Sequence, residues 1–420
     1  MTGVSEIDPT ARWKQTLTAV WIAQFFSIAA FSFGIPFVAY YIQEMGITEQ
    51  RPLLFWTSIF HGAAPVTFCF AAPFWGYLAD RFGRRPMLIR ANIAAMLVLM
   101  GMGFADNVYW LIACRLGQGL FTGTVPAAQT LVATATPDDR QGLALGALSS
   151  SLFAGMSAGV ALGGWCADVF GYATSFVLGG CLSGVAVLVV IFGTREDFVR
   201  PGPKVKPAIP VTGWRRALPA IGPGLPLLAV VGAMALTHQF ETPILPLLIQ
   251  ELRDGRLEGS AAVMGNMSAM GSVAAMMAGF AIGRFVDRFA PTRVAAICAV
   301  LTAACCIPFA LAHTLGLGPL YIARFALFFF AAGLDPAFQA WLSRVTTPER
   351  RGAVFGWAAT ARSLGWMVGP LLGSGTADLF GLAEVYWFQA ILFLSMIPLC
   401  LWATARMARS AAQLQPGTVG

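Results

Sequence analysis

Apolar residues in this chain run in long blocks rather than at alternate positions, and short polar turns separate them. Twelve such blocks fall near 16–42, 53–79, 87–105, 108–134, 141–167, 172–193, 222–250, 260–283, 293–313, 318–344, 352–377 and 383–404. A helix needs about 20 mostly apolar residues to cross bilayer hydrocarbon. Blocks of this length predict membrane-spanning helices, and they exclude the alternating ten-residue pattern of a β-barrel. The sharpest polar interruption is Gly76-Tyr77-Leu78-Ala79-Asp80-Arg81-Phe82-Gly83-Arg84-Arg85-Pro86, a charged turn wedged between two spans. A soluble protein has little use for it. A polytopic membrane protein needs tight connections of this kind.

The pattern repeats at half-chain spacing. Gly283-Arg284-Phe285-Val286-Asp287-Arg288-Phe289 is a weaker copy of the charged turn. Pro126-Ala127-Ala128-Gln129 matches Pro336-Ala337-Phe338-Gln339, and Thr136-Pro137 matches Thr347-Pro348. Gly142, Gly146, Gly159, Gly163, Asp168, Phe170 and Gly171 then find Gly352, Gly356, Gly369, Gly373, Asp378, Phe380 and Gly381, all 210 residues on. Between the copies lies a polar, proline-rich stretch at 194–216 with Pro201, Pro203, Lys204, Lys206, Pro207 and Pro210, which reads as a linker. The expected organisation is an N-terminal tail 1–15, a six-helix bundle 16–193, the linker 194–216, a second six-helix bundle 217–405 and a tail 406–420. The fold class is all-α integral membrane, with twelve transmembrane helices in two pseudo-symmetric bundles. Parallel six-helix repeats are a transporter architecture.

Composition sharpens this picture. The chain is 57% hydrophobic and 11% charged, against about 25% charge in soluble domains. The net charge of +7 suggests a nucleic-acid partner only until the charges are placed. Arg51, Arg253 and Arg256 fall on one side, Arg115, Arg324 and Arg362 inside spans, and every other Lys and Arg on the opposite side. The positive-inside rule makes the crowded side cytoplasmic, so both termini and the linker are expected in the cytoplasm. The first fifteen residues hold Glu6, Asp8, Arg12 and Lys14 and lack the pattern of a cleaved signal, so the first helix is expected to direct its own insertion. All eight cysteines lie in or against apolar spans and read as small hydrophobes. No metal-ligand spacing, nucleophile triad or phosphate-cradling loop occurs, so neither an enzyme nor direct ATP coupling is expected.

Gly76 to Arg85 resembles, almost position for position, the loop signature of the major facilitator superfamily, and the likeness extends over residues 12–405. Arg115-Leu116-Gly117-Gln118-Gly119 is similar to a motif of the proton-coupled drug exporters, and Trp13-Lys14 with Pro73-Phe74-Trp75-Gly76 to bacterial twelve-span multidrug exporters. The resemblance implies alternating access, and for Arg115 a part in proton transfer or helix coupling. Gly159-Val160 departs from the Gly-Pro that drug antiporters usually carry there, whereas the second half keeps Gly369-Pro370.

A charged side chain at mid-bilayer costs about 2.5–3.5 kcal/mol on insertion scales, which marks the intramembrane charges as functional candidates. Glu241, in His238-Gln239-Phe240-Glu241-Thr242-Pro243, shares a helix face with His238, and Pro243 frees a backbone carbonyl nearby. Asp335 stands where the first half has Val125, so the scaffold itself does not demand an acid there. Glu241, Asp335, Arg115 and His238 are the proton-coupling candidates. Arg362 is too deep to snorkel and expects Asp335 or Glu241 as counter-charge, while Arg324 is expected to snorkel outward. Gln24, Tyr40, Gln129, Phe240, Gln339 and Arg362 are candidate substrate contacts, with His61 a further polar one. Gly76, Asp80, Arg81, Gly83, Arg84 and Arg85, with Asp287 and Arg288, read as a conformational gate, Asp80 accepting from helix N-termini and arginines across the interface of the halves.

The expected function is export of small amphipathic or anionic, drug-like compounds by proton-coupled alternating access. The alternative is a dedicated metabolite or siderophore carrier on the same fold, and a non-transporting receptor or lipid scaffold is the reading outside that class. The partners would be a small-molecule substrate, protons and membrane lipid, without nucleic acid. No cofactor or metal is expected beyond the proton motive force. A monomer in a bacterial inner membrane completes the expectation.

Overall fold

The computed structural model describes residues 9–137, 140–194, 196, 225–335, 337–338, 341 and 351–413. Among them all regular structure is helical, and every predicted block contains helix. The first half comprises α1 (Pro9–Gly34), α2 (Val38–Glu44), α3 (Gln50–Phe82), α4 (Arg84–Gly103), α5 (Val108–Phe121), α6 (Thr124–Ala135), α7 (Gln141–Phe170) and α8 (Tyr172–Gly193). The second comprises α9 (Leu225–Gln239), α10 (Ile244–Glu251), α11 (Ser260–Arg288), α12 (Pro291–Ala310), α13 (Ala312–Leu315), α14 (Leu317–Ala332), α15 (Arg351–Phe380) and α16 (Val385–Gln413). Among the described residues eight stretches are long and apolar enough to cross a membrane, the first of them, Trp13–Glu44, running through α1 and α2.

Two of the remaining spans are broken, each for a local reason. Span 4 parts into α5 and α6 at Gly123, whose φ of 111° is left-handed backbone that glycine adopts without strain. Span 7 parts into α9 and α10 at Phe240–Pro243. Pro243 has no N–H to donate to the carbonyl of Gln239, which instead accepts from Thr242 N at 3.2 Å in a tightened turn.

Many large apolar side chains point outward, and many small ones inward. Phe70, Phe104, Phe192, Ile322, Leu379 and Leu401 are well exposed, whereas Ala, Gly and Ser fill much of the interior. A solvent of hydrocarbon explains that inversion, because close helix packing in lipid relies on small residues.

The chain forms two compact units. The first gathers α1, α2, α3 from Val66 onward, α4 to α8, and α11 up to Ser272. The second gathers the beginning of α3 up to Pro65, α9, α10, α11 from Val273, and α12 to α16. Each unit has a glycine stripe where two helices meet backbone to backbone. In the first, a Cβ on Gly155, Gly159 or Gly163 of α7 would collide with the carbonyl of Phe25, Ala29 or Phe33 on α1. In the second, a Cβ on Gly365, Gly369 or Gly373 of α15 would collide with that of Gly232, Leu236 or Phe240. The stripes sit 210 residues apart, so the sequence repeat is a repeat of backbone-to-backbone packing.

Each unit also holds the start of one helix through a carboxylate. Asp168 Oδ2, at the end of α7, accepts from Ala262 N in the first turn of α11 at 2.7 Å. Its repeat mate Asp378, at the end of α15, meets Arg51 Nε in the first turn of α3 at 3.2 Å. Gly164 of α7 and Gly265 of α11 let those helices touch backbone to backbone.

Candidate functional site

The break in span 7 organises a polar cluster inside the second unit. Glu241 lies in the turn between α9 and α10, 3% exposed, and its Oε1 accepts from Arg324 Nη1 of α14 at 2.5 Å. Arg324 is 6% exposed and also lies over the Phe328 ring at 4.3 Å. The expectation that Arg324 snorkels outward is corrected: a buried carboxylate within reach gives the guanidinium a partner it would lack in lipid. Gln389 of α16 donates to the carbonyl of Thr237 at 3.2 Å, one turn before the break, and Cys306 Sγ lies 3.9 Å from its Oε1. Tyr386, fully buried beside Glu241, stacks on Phe309 at 4.8 Å. Phe240 is buried in the turn itself.

A second pair stands apart in character. Arg362 Nη2 of α15 reaches Asp335 Oδ1 at 3.3 Å, with side chains 30% and 41% exposed. Asp335 is thus the counter-charge of Arg362, as one of the two expected arrangements had it. His238 of α9 lies within reach of the charges on Asp335, Glu241 and Arg362, and packs edge-on to Phe393 at 5.9 Å. Glu241, Arg324, Asp335 and Arg362 therefore cancel in two pairs.

In the first unit, Arg115 of α5 is buried and hydrogen-bonds through Nη1 to Gln118 Oε1 on its own helix. Gln24 of α1 is 2% exposed, and among the described residues neither atom of its amide finds a partner. It lines a small recess with Val125, Gln129, Leu148, Ser149 and Leu152. Gln24 and Gln129, paired on sequence grounds as substrate contacts, are thereby brought together. Tyr40 is not beside them: it is fully buried against Tyr172 at 5.8 Å. His61, in the part of α3 that belongs to the second unit, is also buried, edge-on to Phe60. Gln339 lies outside the described residues.

The charged turn is anchored within its own unit. Glu196 accepts from Arg84 N at 2.9 Å and Arg85 N at 2.7 Å, the first residues of α4. Arg85 also donates through Nε to Thr194 Oγ1 at 3.2 Å and through Nη2 to the Ile191 carbonyl at 2.7 Å. Gly83 supplies the left-handed φ of 97° that ends α3 and starts α4. Arg81 lies over the Phe82 ring, and Arg288 ends α11, exposed. Gly76 faces open space. The side chains of Asp80 and Asp287 lie outside the described part of the structure.

Sequence reasoning missed three residues here and misplaced a fourth. Glu196 read only as linker charge, although an acid just after a span and opposite a charged turn was the available signal. Gln389 and Tyr386 gave no signal, since a polar residue in a span does not disclose which neighbour it meets. Arg90, counted among the cytoplasmic charges, lies inside α4 with its guanidinium over the Trp75 ring at 3.3 Å.

A family model described as the Major Facilitator Superfamily matches residues 20–254 and 227–417. The multidrug resistance protein MdtG of Klebsiella pneumoniae (strain 342) is 31% identical over 416 residues, spanning 98% of either chain. A multidrug resistance efflux pump PmrA homolog of Lactococcus lactis is 31% identical over 371 residues, 88% of this chain and 89% of the relative. Among solved structures, the nucleoside transporter NupG (a D323A mutant) superposes with a TM-score of 0.75 at 11% identity, over 93% of this chain and 99% of that one. The human organic anion transporter MFSD10 gives 0.66 at 16% identity, over 92% and 99%.

Proposed function

The chain belongs to the major facilitator superfamily, and on that premise we propose that it exports small amphipathic or anionic, drug-like compounds in exchange for protons. It is a multi-pass membrane transporter. We place it in a bacterial cytoplasmic membrane, as a monomer with both termini inside. The near-full-length likeness to two multidrug resistance proteins supports export of drug-like compounds.

The observation that carries the coupling is the half-open pair of Asp335, just after α14, and Arg362, within α15. Each charge facing lipid at that depth would cost about 2.5–3.5 kcal/mol, so the exposed sides of the pair belong against water. A carboxylate with access to water and an arginine at hand exchanges its counter-charge for a proton as access alternates between the two sides. Proton and substrate then compete for one state of the transporter. Gln24, Gln129 and Phe240 are the substrate contacts of this reading, with the charged turn at Gly76–Arg85 acting as a conformational gate.

Everted membrane vesicles carrying the protein provide the test. With the lumen acidified, addition of a transported compound is expected to raise lumenal pH. A panel of ethidium, norfloxacin and carboxyfluorescein covers cationic, zwitterionic and anionic chemistry. If none of them moves protons or accumulates when the protein is present in the membrane, proton-coupled export of drug-like compounds is rejected.

A further inference from the structure

The two acid–arginine pairs of the second unit differ in build. Glu241–Arg324 is sealed: the carboxylate side chain is 5% exposed, the guanidinium 7%, and they meet at 2.5 Å. Phe328 covers the guanidinium, and the Phe309–Tyr386 stack lies alongside. Asp335–Arg362 is open and looser, 41% and 30% exposed at 3.3 Å. We propose that the pairs divide the work: Asp335 binds and releases the transported proton, exchanging Arg362 as it does so, while Glu241 and Arg324 form a fixed brace that shapes the break in span 7. This rests on the proton-exchange reading above and assigns the exchange to one carboxyl.

The electrostatics favour that assignment. Protonating Glu241 would leave Arg324 charged, buried and without its partner, and breaking a buried pair from one side is strongly unfavourable. Protonating Asp335 leaves Arg362 with part of its surface still open. A proton also needs an accessible carboxyl, and the side chain of Asp335 is 41% exposed where that of Glu241 is 5%. Arg362 from α15 pairs with Asp335, and His238 from α9 lies within reach of the charges on Asp335, Glu241 and Arg362.

The brace has a visible task. Glu241 sits in the turn where Pro243 interrupts the helix, and its carbonyl accepts from Ile244 N at 2.9 Å and Leu245 N at 3.1 Å to start α10. Arg324 ties this turn to α14, while Gln389 ties the carbonyl of Thr237 to α16. Gly373 brings α15 against the carbonyl of Phe240 in the same turn. Three helices thus fix one bend, and the ion pair is among their fastenings. Glu241 and Arg324 act here as positioning residues.

The test uses the full-length protein in lipid nanodiscs and in proteoliposomes. Acidification of purified protein is followed by the infrared band of protonated carboxyl groups, a readout that needs no substrate. Asp335→Asn is expected to abolish the acid-induced band that the doubly neutralised E241Q/R324Q protein retains. In proteoliposomes, D335N should lose accumulation driven by a pH gradient yet keep substrate counterflow without a gradient. The single variants E241Q and R324Q should lower the melting temperature and depress both activities together. E241Q/R324Q should regain stability and gradient-driven transport, with the charge-swapped E241R/R324E as a second version should the first not fold. Loss of the infrared band in E241Q/R324Q with retention in D335N overturns the assignment, as does gradient-driven accumulation by D335N. A wild-type protein that counterflows but never responds to a pH gradient rejects the exchange reading itself, and that failure appears before any variant is made.

Discussion

Two backbone N–H groups at the start of α4 converge on one carboxylate, that of Glu196. An anion at a helix N-terminus satisfies orphan donors and meets the positive end of the dipole. Glu196→Ala is expected to destabilise the protein by about 1 kcal/mol, seen as a lower melting temperature in detergent, with Glu196→Gln much milder. The carboxylates at the ends of α7 and α15 should behave unequally despite their repeat relation. Asp168 accepts a backbone N–H in the first turn of α11, so Asp168→Ala should cost about 1–2 kcal/mol. Asp378 meets Arg51, whose side chain is 84% exposed, and Arg51→Ala should cost about 0–1 kcal/mol because such pairs are screened. Thermal unfolding of the two variants in one buffer separates them, and equal losses would contradict the ranking. At this scale the sequence disclosed most of the residues charged within the spans, though not Arg90, because the bilayer makes such residues rare. It did not disclose pairing. Glu241 and Arg324 are 83 residues apart, and only the packed helices show that they meet, which is why Arg324 read as interfacial and Tyr386 and Gln389 went unnoticed.

Helices carry the most legible part of the fold. Hydrocarbon demands long uninterrupted apolar stretches, so span positions followed from the pattern alone, and Gly123 and Pro243 are the kinds of residue at which spans break. The glycine stripes were visible as spacing, but their partners were not, since the same spacing permits a neighbour on any side. Their effect is steric and positional. Gly369→Ala would drive a methyl group into the carbonyl of Leu236, and overpacking of this kind costs about 1–3 kcal/mol. Gly142→Ala, at the start of α7, meets nothing within 4 Å and should stay within about 0.5 kcal/mol of the parent. Melting temperatures and monodispersity by size-exclusion chromatography decide it: if G142A is as damaging as G369A, close helix approach is not what the stripe provides.

At the scale of the molecule, α3 and α11 each begin in one compact unit and finish in the other. A chain severed inside the 194–216 linker therefore does not yield two finished products. The amino-terminal piece would lack Leu257–Ser272, leaving Val160 and Gly164 of α7 uncovered, and the carboxy-terminal piece would lack Thr48–Pro65. Expressed singly, each fragment is expected to aggregate or be degraded; expressed together, they should reassociate into a transporter that purifies as a stoichiometric couple. A monodisperse, thermally stable fragment on its own would contradict this. The sequence repeat thus does not mark out two self-sufficient lodgers in one polypeptide. Each half lends the other the end of a helix that its packing needs.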